Sequence, residues 1–242
     1  MSIGIIGYGR LGKLLVRYFA KDFPICVFDP KPNSKEIKAL GGVPATLEEV
    51  CRQEVIIPCV PIAAFEGLMR RIKGFVRKDA LIIDVCSVKE HPVRVMKSVL
   101  PRSVELLAAH PNFGPDSAAL SLKGHKVVVC PIRIKPWRYR KVKKILEGKG
   151  LEVIKMSPRK HDRIMASSLV LTHFIGRSLI DFGAKTTGID TEGYKRLLRI
   201  LQTVQNDSWQ LFEDMNHYNS FASPMRRRLL DSMKKIDQRV KR

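Results

Sequence analysis

Short β-branched runs alternate with stretches of helical spacing over the first two thirds of the chain. The runs fall at residues 3–6, 25–28, 55–60, 81–85, 104–109, 126–130 and 151–156. Between them, apolar residues recur every three or four positions over 11–19 and 65–75, and Thr46-Leu47-Glu48-Glu49 has the form of a capping box. Strand alternating with helix predicts a mostly parallel, doubly wound α/β sheet of the Rossmann type. After Met156 the pattern changes. Ser157-Pro158 suits an N-cap and first helical position, and the remainder reads helical with breaks at Gly183, Gly188 and Gly193. The reading is therefore a nucleotide-binding domain over 1–156 and an all-helical domain over 157–242. A helical unit of roughly 85 residues is short of core, so packing against a second copy, a homodimer, is expected.

Composition narrows the class. Of 242 residues 45% are hydrophobic, enough for a real core, which excludes a disordered or fibrous chain. Lys and Arg number 44 against 23 Asp and Glu, a net charge of +21. That sign suits phosphates, nucleic acid or anionic membranes. The charge is densest over 133–160 and 226–242, where Trp137 and Tyr139 are the interleaved aromatics and no recognition helix or RNA-binding motif occurs, so no nucleic-acid partner is expected. No apolar run reaches the length of a membrane span, and Met1-Ser2-Ile3-Gly4 leads straight into a strand, which reads as an unprocessed, cytoplasmic chain. The five cysteines include no C-x-x-C pair and read as buried free thiols, and the six histidines lack metal-ligand spacing, so no metal is expected.

Gly7-Tyr8-Gly9-Arg10-Leu11-Gly12 is a G-x-G-x-x-G between a predicted strand and a predicted helix. Glycine permits the tight turn and close approach of backbone to a pyrophosphate, and the helix N-terminus offers free N–H groups to it. The spacing of Gly7 and Gly12-Lys13 also approaches a nucleotide-triphosphatase loop, but Leu14 stands where a magnesium-binding hydroxyl is needed. Asp29, seventeen residues past Gly12 at the end of the second strand, can accept hydrogen bonds from ribose hydroxyls and would repel a 2′-phosphate. The cofactor reads as NAD, with Lys31 keeping NADP open. Val60 and Pro61, closing the third run, are further cofactor-side candidates.

Ser87, in Asp84-Val85-Cys86-Ser87-Val88-Lys89, and His110, in His110-Pro111-Asn112-Phe113-Gly114-Pro115, each follow a strand. Ligands of open α/β sheets sit at the carboxyl ends of strands, where a histidine can take a hydroxyl proton and a serine can orient it. On spacing alone, a histidine satisfied at a strand end is an equal reading.

These residues also carry a resemblance. Cys86-Ser87-Val88-Lys89, His110 through Asp116, His161-Asp162-Arg163, Leu171-Thr172-His173 and Gly176-Arg177 resemble the prephenate and arogenate dehydrogenases of tyrosine biosynthesis. Thr191-Glu192-Gly193-Tyr194 and Asp207-Ser208-Trp209-Gln210-Leu211-Phe212 are similar to the plant arogenate branch. The resemblance implies oxidative decarboxylation of a small-molecule substrate, L-arogenate to L-tyrosine, with prephenate and NADP as alternatives. It implies His110 as base on the ring hydroxyl and Ser87 as its partner. It implies Asp116 on a rim loop and, on the substrate side, His173, Arg177, Thr191, Lys89 and Asp207, with His161 a weaker member. Asp207 would pair with the ammonium that arogenate has and prephenate lacks.

Helical spacing adds a second line. Asp162, Ala166, Leu169, His173 and Arg177 share one side of a helix, and Arg196, Arg199, Thr203 and Asp207 one side of the next. A core histidine and a solvated charged stripe are the plain alternatives. Two departures from the family stand out. Thr203 occupies the place of an arginine that holds the ring carboxylate in many bacterial members, leaving Arg199, Arg196 and Lys195 as candidates. Asp29 stands where plant relatives carry residues suited to NADP.

Overall fold

A computed structural model of the chain, in which residues 1–241 are described, divides into two compact units, Met1–Arg159 and a second from Lys160 onward. The first holds an eight-stranded sheet of order β3-β2-β1-β4-β5-β6-β7-β8. Its strands are β1 (Ile3–Ile6), β2 (Ile25–Phe28), β3 (Val43–Pro44), β4 (Val55–Pro58), β5 (Leu81–Asp84), β6 (Glu105–Pro111), β7 (Lys126–Arg133) and β8 (Glu152–Lys155). Neighbours pair in parallel except β6 with β7, which run antiparallel. The central strands are near-continuous apolar runs, as burial on both faces requires; every residue of β1 is buried.

The strands differ from the sequence reading at their ends. The third run stops at Pro58, so Val60 and Pro61 fall in the turn before α4 (Ile62–Ile72). The fifth extends to Pro111 and carries His110 inside β6. β3 is two residues long, too short for periodicity to show. The helices of this unit are α1 (Arg10–Phe19), α2 (Ser34–Ala39), α3 (Leu47–Cys51), α4, α5 (Glu90–Val99) and α6 (Pro136–Gly148). α3 opens with the expected capping box, Thr46 Oγ1 accepting from Glu49 N while the Glu49 carboxylate accepts from Thr46 N.

From α7 (Pro158–Met165) the chain passes through a π-helical turn, Ala166–Val170, into α8 (Leu171–Asp181), then α9 (Glu192–Val204), α10 (Trp209–His217) and α11 (Ala222–Val240). Asp162, Ala166, His173 and Arg177 are all buried. The π turn inserts a residue into the repeat, and Val170 becomes fully buried beside a half-buried Leu169. α8 and α9 cross closely at Gly176, where an added Cβ would lie 2.7 Å from Val204 Cγ2. Two expectations are corrected. Gly193 sits inside α9 rather than breaking it, and Asp207 lies beyond the end of α9, in the turn before α10, so it shares no helix face with Arg199 and Thr203. The last turns of α11 expose Met233, Ile236 and Val240 at helical spacing. No helix among the described residues is long and apolar enough to cross a membrane.

Candidate active site

The glycine loop leaves β1 and enters α1. Gly7 has φ +101°, and a Cβ there would lie 2.3 Å from the Cys59 carbonyl oxygen; one on Gly12 would lie 2.2 Å from that of Gly7. Both contacts are with backbone that cannot yield, so only glycine fits. Gly9 differs: a Cβ there meets nothing within 4 Å, so the loop is open on that side. Gly9 is the N-cap of α1 and contributes no capping side chain, so the helix presents its first N–H groups to that open space. Val60 packs beside Gly7, its Cγ1 3.5 Å from the same hypothetical Cβ, and Pro61 caps α4.

Asp29, at the end of β2, accepts from Tyr8 N at 2.7 Å and from Lys31 N at 2.8 Å. Two backbone donors fix its orientation, and each oxygen keeps a lone pair for a further donor. Glycine loop, uncapped helix start and oriented acid together fit a dinucleotide whose adenosine ribose has a free 2′-hydroxyl. Arg10 and Leu11 open α1, and the Arg10 guanidinium reaches the rim loop, pairing with Asp116 at 2.5 Å. Asp116 thus contacts Arg10, a member of the cofactor-side group. The rest of that loop is pinned by Tyr18, whose hydroxyl donates to the Ala118 carbonyl at 2.7 Å.

β5 and β6 stay in register up to Asp84 opposite Ala108. Three residues past Asp84 comes Ser87, half-buried; two past Ala108 comes His110, 6% exposed. Parallel pairing therefore delivers serine and histidine to the same end of adjacent strands. Lys89, a sequence candidate for substrate contact, has a fully buried side chain, with Nζ 2.5 Å from Asp84 Oδ2 and 2.5 Å from the Ala109 carbonyl oxygen. Asp84 Oδ1 accepts from Cys86 N at 2.9 Å. Burial pushes the Asp84 carboxyl up, against the pull of the Lys89 ammonium, and pushes the Cys86 thiol well up, so this cysteine stays a neutral thiol. Asp84 is the residue that sequence reasoning passed over. Its signal was an acid and a lysine on either side of the Ser87 turn.

In the helical unit His173, on α8, has Nε2 3.6 Å from Asp207 Oδ2. Arg177, one turn on, donates from Nη2 to the Asp207 carbonyl and stacks on Trp209, Cζ 4.6 Å from the ring centroid. Burial holds the His173 pKa below the usual imidazole value, the Asp207 carboxylate opposing and the Arg177 charge assisting. Two other candidates have structural work. Thr191 Oγ1 caps α9 by accepting from Tyr194 N at 3.3 Å. His161 is fully buried, with Nδ1 2.7 Å from Asp162 Oδ1. Of the carboxylate candidates, Arg196 and Arg199 are exposed, and Lys195 pairs with Glu192 at 2.8 Å.

Residues 28–155 match the model of the prephenate dehydrogenase nucleotide-binding domain, and residues 178–242 that of a TYRAAT1-like C-terminal domain. The glycine loop lies before the first match and stands on its own geometry. Arogenate dehydrogenase 2, chloroplastic, of Arabidopsis thaliana is 29% identical over 97% of this chain and 69% of its own length. Arogenate dehydrogenase 1, chloroplastic, of the same plant is 29% identical over 92% of this chain and 36% of its own length. In fold, the chain is similar to the prephenate dehydrogenase of A. aeolicus crystallised with hydroxyphenyl propionate and NAD+, at a TM-score of 0.79, 21% identity and coverage of 98% of this chain and 90% of that one.

Proposed function

The chain belongs to the prephenate dehydrogenase family, and from that premise we propose that it is an arogenate dehydrogenase, converting L-arogenate and NAD to L-tyrosine, CO2 and NADH. The observation that carries the reading is that the family match falls on the strands whose register brings Ser87 and His110 to one end of the sheet. The cofactor, when bound, accepts hydride from the ring carbon that bears the hydroxyl.

The protein's own part follows from the residues. The Gly7–Gly12 loop and the start of α1 hold the pyrophosphate, and Asp29 holds the adenosine ribose and disfavours a 2′-phosphate. His110 takes the hydroxyl proton, and Ser87 orients the hydroxyl and the imidazole. Aromatisation of the ring supplies much of the driving force, so position and proton removal are what the side chains must contribute. Asp207, with His173 beside it, pairs with the substrate ammonium. Recognition of a substrate carboxylate falls to Arg177, a buried cation on α8.

A homodimer through the helical unit and a cytoplasmic location belong to the same proposal. The first is supported by the apolar stripe Met233, Ile236 and Val240, each more than half exposed on α11. Sedimentation at the mass of two chains supports it, and at the mass of one contradicts it. The catalytic reading is tested by following NADH or NADPH absorbance with arogenate or prephenate and with NAD or NADP. Fast turnover with arogenate and NAD is expected; preference for prephenate overturns the role of Asp207, and preference for NADP that of Asp29.

A further inference from the structure

We propose that the buried Lys89–Asp84 pair is a clamp that fixes His110 relative to Ser87, making Lys89 a positioning residue that acts through the base. The proposal rests on the reading of His110 as that base.

The ladder between β5 and β6 ends where Asp84 faces Ala108. Ser87 and His110 lie beyond that point, so strand pairing between β5 and β6 no longer sets their separation. β7 holds His110 from the other edge of β6, opposite Val128, and the clamp ties the β5 side, where no ladder remains. Lys89 Nζ donates to the Ala109 carbonyl, which belongs to the same planar peptide unit as the His110 nitrogen, so the contact fixes the plane from which the imidazole projects. Asp84, held by the same ammonium, accepts from Cys86 N, the residue just before Ser87. One ammonium and one carboxylate thereby tie the backbone before the serine to the backbone before the histidine.

The residue types support a positioning role over a packing role. A fully buried lysine is uncommon, and an apolar pair of similar volume generally packs at least as well. Apolar side chains have no directionality. A charged donor shared by the Asp84 carboxylate and the Ala109 carbonyl fixes both distance and direction.

The test is a double-mutant cycle on the full chain with arogenate and NAD. Lys89→Met alone leaves a buried carboxylate unpaired and endangers folding, so each variant also carries Asp84→Asn. Asp84→Asn/Lys89→Met is expected to lower kcat by about 10²-fold, the scale of a misplaced catalytic group, with KM for arogenate and Kd for NAD changed by no more than roughly twofold. Asp84→Asn/Lys89→Gln, which keeps a donor for the Ala109 carbonyl, is expected to recover part of that loss. In a His110→Ala background the Lys89→Met pair is expected to cost no more than roughly twofold, because the residue it positions is gone. Equal losses in both backgrounds, no recovery with Lys89→Gln, or a KM effect in place of a kcat effect overturns the clamp. If His110→Ala itself leaves kcat unchanged, the failure lies with the base assignment instead.

Discussion

Two buried polar clusters in this chain are satisfied to different degrees. Beneath the ends of β5 and β6, Lys89 has a carboxylate and a carbonyl at 2.5 Å each, and the second Asp84 oxygen has a backbone N–H. In the helical unit, His173 Nδ1 and Arg177 Nε are buried without a hydrogen-bond partner among the described residues. A buried unsatisfied polar atom costs about 1–3 kcal/mol, and folded chains rarely leave one without reason. The first cluster is completed by folding and can fix geometry before any ligand arrives. The second keeps unused hydrogen-bonding capacity, which suits recognition of a polar ligand. Chemistry and selectivity would then rest on different kinds of construction.

The strongest way to break this contrast is at the base. His110→Ala is expected to lower kcat by roughly 10²–10⁴-fold with NAD affinity retained, measured by steady-state kinetics and cofactor titration. A parallel loss of NAD binding would make His110 structural. Next in size is stability. Lys89→Met, leaving Asp84 buried and unpaired, should destabilise the fold by about 3–5 kcal/mol in a denaturant titration. Arg177→Met, which removes one hydrogen bond and the Trp209 stack from an already unfinished cluster, should cost about 1–3 kcal/mol. Equal costs would erase the distinction between the clusters.

Smaller effects sharpen it. Asp207→Asn is expected to shift the arogenate-to-prephenate ratio of kcat/KM toward prephenate by about 10–100-fold, the scale of one charge-assisted hydrogen bond. An unchanged ratio would reduce Asp207 to a turn residue. The folded-state pKa of His173 is depressed, chiefly by burial, so the unfolded chain binds a proton that the folded one resists. Stability is therefore expected to fall as pH drops below the ordinary imidazole range near 6.5, and His173→Gln should flatten that dependence. A profile unchanged by the substitution would show that His173 contributes nothing to it.

How far the sequence reached depended on the range of the interaction. Gly7, Gly9 and Gly12 with Asp29, and Thr46 with Glu49, were readable because strand, turn, helix start and cap are local and each has its own residue chemistry. The parallel order of the sheet followed from alternation, whereas the two-residue β3 and the antiparallel turn into β7 left no periodic trace. The surroundings of Lys89 were not legible for a physical reason: its carbonyl partner, Ala109, is twenty residues away and only the folded sheet brings the two together. Asp207 was misplaced because the helical repeat continues on paper through Gln205 and Asn206, while Ser208 starts a new helix by capping Leu211 N. The one-residue insertion at Ala166–Val170 was equally invisible, since it shifts the apolar stripe without ending it.

The most direct measurement is the stoichiometry of a single reaction mixture containing the full chain, L-arogenate and NAD. Equal amounts of NADH, CO2 and L-tyrosine are expected, formed faster than the corresponding products from prephenate. NADH without CO2, or turnover confined to prephenate, would contradict the account.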